Sequence, residues 1–144
     1  MVDVITSIEI NAPLQKVRDY ACNPDNAMNW YKNIKSVIWK TPKPLQAGSA
    51  VSFVASFLGK ELAYTYEVTE FSDKQFAMKT AQGPFPMETV YTFEEKEPHL
   101  TLMTLRNRGL PSGFSKLFVP FMSFMMKQAN KKDLKKLKMI LESS

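Results

Sequence analysis

Residues 109–142 read GLPSGFSKLFVPFMSFMMKQANKKDLKKLKMILE. Within this stretch Phe114, Leu117, Phe118, Phe121, Met122 and Met125 recur at three- and four-residue steps, the spacing of one helical face. Phe and Met make that face wide and adaptable, suited to an irregular partner. Leu134, Leu137 and Leu141 continue a buried stripe to the end of the chain. Pro120 stands inside the pattern and either kinks the helix or begins its regular part. Gly109, Pro111 and Gly113 precede it and predict a mobile entry segment. Such a helix laid on a curved sheet can enclose a cavity; the same face can equally be filled core.

The chain before it reads almost entirely as strands. Val2 to Ile10 alternates, with Val4, Thr6, Ile8 and Ile10 on one side. Asn11 is placed to cap a helix with Pro13 in its first turn and Leu14, Val17 and Ala21 on one face. Asn23-Pro24-Asp25 breaks this helix and opens a second short one that reaches Trp30. Strands then follow over Ile34 to Lys40, Ala50 to Phe57, Leu62 to Phe71, Phe76 to Thr80, Met87 to Phe93 and Leu100 to Asn107. The short turns between them favour an antiparallel sheet. In the last strand Leu100 and Leu102 compete with Met103 and Leu105 for the core, so the side taken by Arg106 and Asn107 stays open.

The inward sets of these strands carry five hydroxyls: Tyr64, Tyr66, Thr80, Thr89 and Tyr91. Each buried hydroxyl needs a partner. A cavity holding ligand or water supplies one; a tyrosine reaching the sheet rim supplies another.

A chain of 144 residues is most simply one domain, 1–144, large enough for a core without staples. One cysteine, Cys22, and one histidine, His99, give neither an internal disulfide nor a metal site, and no cofactor is expected. Cys22 reads as a small buried apolar residue. Met1 leads straight into a strand pattern, with no signal peptide. The longest apolar run, Leu117 to Met126, is too short to span a bilayer. The expected compartment is the cytoplasm. The net charge of +5 is uneven: Lys116, Lys127, Lys131, Lys132, Lys135, Lys136 and Lys138 read into the last helix, opposed there by Asp133 and, at the end, Glu142. That face is a solvated surface or a contact for an anionic membrane. It lacks the interleaved aromatics expected for nucleic acid, which is not an expected partner.

The order strand, two short helices, six strands and long C-terminal helix resembles the helix-grip fold of the START-like superfamily. Ile10-Asn11-Ala12-Pro13 with Val17, Asn23-Pro24 before Trp30, Gly48, and the ending Leu134, Leu137, Lys138, Leu141, Glu142 resemble that superfamily's local signatures over the whole chain. Within it the chain looks most like bacterial polyketide cyclase/dehydrase-type and lipid-transport-type members. The resemblance implies an α+β fold, a curved seven-stranded antiparallel sheet wrapped around the C-terminal helix, with a hydrophobic cavity between them. It does not imply catalysis. The chain lacks the glycine-rich loop of the plant allergen branch, having Thr41-Pro42-Lys43-Pro44 there, and lacks the Cys/His set of iron–sulfur members.

The expected function is binding, with transport as an extension, of a hydrophobic small molecule such as a lipid or an aromatic or polyketide metabolite. Phe53, Tyr64, Tyr66, Met78, Met87, Thr89 and Tyr91 would line the site from the sheet. Phe114, Phe118, Phe121, Met122 and Met125 would close it from the helix. Apolar walls with a few hydroxyls suit a ligand with one polar end. The alternative is a cyclase or dehydratase using Tyr64, Tyr66, Tyr91 and Arg106. It lacks an evident base, since Glu61, Glu67 and Glu88 read as outward and His99 as a turn residue. A third reading is a membrane-surface or partner-binding module built on the basic helix.

Overall fold

The structure, a computed structural model, describes residues 1–57, 59–83, 86–109 and 118–143. Strand β1 (Val2–Ile10) leads into helix α1 (Leu14–Ala21), a 3₁₀ turn (Pro24–Asn26) and the single-turn helix α2 (Ala27–Trp30). Six strands follow: β2 (Ile34–Trp39), β3 (Ala50–Phe57), β4 (Lys60–Phe71), β5 (Gln75–Gln82), β6 (Met87–Glu97) and β7 (Leu100–Gly109). Helix α3 (Val119–Glu142) completes the chain. The strands form one curved, open antiparallel sheet in the order β1-β7-β6-β5-β4-β3-β2. The sheet is therefore a meander from β2 to β7, with β1 added beside β7 and α3 packed across it. This is the helix-grip architecture.

The alternation of the strands decides which side chains α3 covers. Val2, Val4, Thr6 and Ile10 of β1 are buried while Asp3, Ile5, Ser7 and Glu9 are exposed. In β7 the buried set is Thr101, Met103 and Leu105. Arg106 consequently faces away from α3 and pairs with Asp3 across the β1–β7 register, at 2.7 Å. Asn107 faces inward. The expected Asn11 cap is replaced by a longer-range contact. Pro13 is the cap residue of α1, and Asn11 instead donates its backbone N–H and side-chain amide to Glu142 at the far end of α3.

Pro120 begins the regular part of α3, where its missing N–H costs no helical bond. The inward stripe of α3 differs from the one expected. Leu134, Leu137 and Leu141 pack with Ile10, Val17, Trp30 and Met103 in the main core. At about 100° per residue, Phe121 lies about 160° around the helix from Leu137, so it cannot share that face. Phe118, Phe121, Phe124 and Met125 are 37%, 48%, 60% and 37% exposed. Met122 is buried, packing with Val2, Val4, Tyr64 and Met87 in a second cluster. Phe114, Leu117 and most of the entry segment lie outside the described residues.

Candidate functional site

A cavity of about 190 Å³ opens between α3 and the sheet. Its position follows from the residues on the inner side of α3. Met122 plugs one end of the fold and Leu134 begins the main core. The inward positions between them are Met126, Ala129, Asn130 and Asp133. A small residue and two short polar ones leave space that Leu or Phe would fill, and the surrounding frame does not collapse into it.

All seven sheet residues singled out from alternation, Phe53, Tyr64, Tyr66, Met78, Met87, Thr89 and Tyr91, line this cavity. The helix residues do not. Phe118, Phe121 and Met125 lie on the outer side of α3, Met122 is buried beside the cavity without lining it, and Phe114 is not among the described residues. Met126, Ala129, Asn130 and Asp133 take their place. Sequence signals for the two polar ones existed. Asp133, Leu137 and Leu141 are spaced four residues apart, and Asn130 precedes Leu134 by four. Counting back from the leucine stripe, rather than forward from the Phe cluster, places both inward. Tyr31 and Asn107 also line the cavity and were not singled out. The first is the residue after α2, and the second needed the β7 register.

The wall is mostly apolar, with polar groupings on the sheet, near α2 and on α3. On the sheet, the Thr89 hydroxyl donates to Asn107 Oδ1 at 2.9 Å, with Tyr66 beside them on the cavity wall. Near α2, the Tyr31 and Tyr91 hydroxyls are 2.5 Å apart. Burial raises the pKa of all three phenols, so they serve as neutral donors and acceptors. Tyr64 is pushed up to about 12 for the same reason. Cys22, also on the cavity wall, is pushed up to about 12 by burial. It is an inert thiol.

Asp133 is the carboxylate missing from the sequence reading, which set it among the solvated lysines. It is 5% exposed and accepts one hydrogen bond, from the Lys32 backbone N–H at 3.2 Å. Burial raises its pKa from 3.8 to about 6, outweighing the lowering by Lys32. Asn130, one turn earlier and also 5% exposed, has its side-chain Nδ2 without a hydrogen-bond partner among the described residues. Arg106, named with the tyrosines for the cyclase or dehydratase alternative, points away from the cavity to Asp3. Among the described residues, no group of His, Cys, Asp and Glu could hold a metal ion.

Residues 1–142 match the family of polyketide cyclase / dehydrase and lipid transport proteins. The chain belongs to this family. Its fold is shared with solved structures of low identity. The Thermus thermophilus protein TTHA0849 is 20% identical with a TM-score of 0.83, covering 98% of this chain and 97% of its own. A START superfamily protein from Mycobacterium smegmatis is 14% identical with a TM-score of 0.81 over the same shares, 98% and 97%. The Zhui aromatase/cyclase of a Streptomyces species is 12% identical with a TM-score of 0.79, covering 97% and 93%. No curated protein matches the chain. No helix among the described residues is long and apolar enough to cross a membrane.

Proposed function

We propose that this family member binds, and by extension carries, a hydrophobic small molecule in the cavity between α3 and the sheet. The carrying observation is the cavity itself. It is apolar over most of its wall, and it is left open because α3 places Ala129, Asn130 and Asp133 where core residues would otherwise close it. Seven sheet residues, Phe53 to Tyr91, and Met126 of α3 would make the apolar contacts. Native mass spectrometry of the purified protein, with extraction of any adduct, tests this. The expected result is a reproducible bound species of a few hundred daltons, or uptake of one from a lipid and aromatic-metabolite panel.

One observation favours a second reading, an enzyme of cyclase or dehydratase type. Asp133 is a carboxylate in an apolar cavity whose pKa, about 6, suits a general base near neutrality. In a dehydration it would accept the proton from a carbon beside a carbonyl, and return it to the departing hydroxyl as water leaves. Loss of turnover in Asp133→Asn, with binding retained, would establish this role.

Contact with an anionic membrane has support of its own. The exposed Phe118, Phe121, Phe124 and Met125 form an apolar patch over the first two turns of α3. Exposed Lys131, Lys132, Lys135 and Lys136 follow on the same side of the helix. The acids of α3 do not offset them, since Asp133 is buried and Glu142 is paired with Lys138. An apolar patch that dips into lipid, with lysines over anionic headgroups, is the arrangement of an interfacial helix.

A further inference from the structure

We infer that the ligand of this cavity carries a neutral group that both donates and accepts hydrogen bonds, a hydroxyl, phenol or primary amide, and seats it against Asp133 and Asn130. A carboxylate or phosphate is disfavoured there. The inference rests on the binding function proposed above and narrows its ligand class.

Asp133 and Asn130 are three residues apart on α3, so they are neighbours on one helical face, and both line the cavity. Each is buried, and each is short of partners. The ionised carboxylate only accepts hydrogen bonds, and among the described residues it receives one, from Lys32 N–H. The Asn130 amide nitrogen only donates, and among the described residues it has no acceptor. Unmet polar groups at this depth are costly. Of the nearby hydroxyls, Tyr31 and Tyr91 bond to each other and Thr89 donates to Asn107.

A ligand hydroxyl completes both residues at once, donating its hydrogen to Asp133 and accepting from Asn130 Nδ2. A primary amide does so with its N–H and C=O. A ligand carboxylate could accept from Asn130 but would face the Asp133 charge. No lysine, arginine or histidine stands among the described residues of the cavity wall to neutralise it. A bare hydrocarbon would leave both groups unmet.

Isothermal titration with naphthalene, 2-naphthol, 2-naphthamide and 2-naphthoate, at about pH 7.5 where Asp133 is mostly ionised, tests this on wild-type protein. The naphthol and the naphthamide are expected to bind at least about tenfold more tightly than the naphthoate. Asp133→Asn should bring the naphthoate to within a few-fold of the naphthol, and Asn130→Ala should weaken the naphthol while leaving naphthalene unchanged. Naphthoate binding as tightly as naphthol to wild-type protein overturns the inference while leaving the cavity's binding function standing. If none of the four probes enters and native mass spectrometry finds no adduct, the binding function fails and the inference falls with it. The wild-type comparison decides the matter even if a variant does not fold.

Discussion

The Tyr31 and Tyr91 hydroxyls meet at 2.5 Å on the cavity wall, tying the residue just after α2 to the middle of β6. Both rings also pack with Trp30, at centroid separations of 4.0 Å and 5.9 Å. The pair thus fixes the short helices to the sheet at the place where the cavity wall turns from one to the other. Each hydroxyl is the other's partner in a buried setting. Tyr31→Phe or Tyr91→Phe is therefore expected to cost about 1–2 kcal/mol, because each leaves one buried hydroxyl unmet. The double variant should cost clearly less than the sum of the two. Urea unfolding of the four proteins measures the cycle, and simple additivity would show that the two hydroxyls are not partners.

Asp133 gives the protein a pH signature. Its folded pKa of about 6 lies above the ordinary 3.8, so between those values the folded state holds more of the proton than the unfolded state. Stability from this group is present below about pH 4 and is lost as pH rises through about 6. Asp3, Asp25 and Glu142 are shifted the other way by their partners, Arg106, Lys43 and Lys138. The wild-type curve mixes both effects, and the difference from Asp133→Asn isolates one. That variant is expected to be more stable than wild type by about 2 kcal/mol above pH 7, with the gap closing towards pH 4. A gap that does not change with pH would contradict the assignment.

The strand alternation was legible because period two is unambiguous once a face is chosen. Leu62, Tyr64, Tyr66 and Val68 of β4, and Met87, Thr89 and Tyr91 of β6, line the cavity as their parity implies. The facing of β7 was not legible, since both parities carry apolar residues. Pairing with β1 and β6 settles it, placing Asn107 inside and Arg106 outside. The α3 face was misread for a different reason. A cluster of Phe and Met marks apolarity but not its destination, and here Phe118, Phe121, Phe124 and Met125 stay at the surface. The leucine stripe at the other end carried the true phase, and with it Asn130 and Asp133.

Cys22 should be silent in the folded protein. It is 3% exposed, with its thiol pushed up to about 12. A disulfide reagent at neutral pH is expected to label it only at the rate of unfolding, and in full in denaturant. Rapid labelling under native conditions would mean that the wall near α1 opens readily.

The outer face of α3 predicts membrane behaviour separable from ligand binding. Sedimentation with vesicles containing phosphatidylserine should exceed that with phosphatidylcholine alone, and should fall as salt is raised. Phe121→Asp with Phe124→Asp should reduce it severalfold without altering the melting temperature, since both residues are exposed. Equal binding to both vesicle types would exclude an electrostatic contribution. A concentration-dependent dimer lost in the same variant would assign the patch to a second copy of the chain.

The central claim, that the space behind Ala129 is a ligand site, is tested most directly by filling it. Uptake of a fluorescent hydrophobic probe is to be compared in wild type, Ala129→Phe and Phe118→Asp. Ala129 lines the cavity, and Phe118 lies outside it. The expected result is that Ala129→Phe, still cooperatively folded, loses uptake while Phe118→Asp keeps it. Unchanged uptake in a folded Ala129→Phe, or loss only in Phe118→Asp, would contradict the account and move the binding site to the outer face of α3.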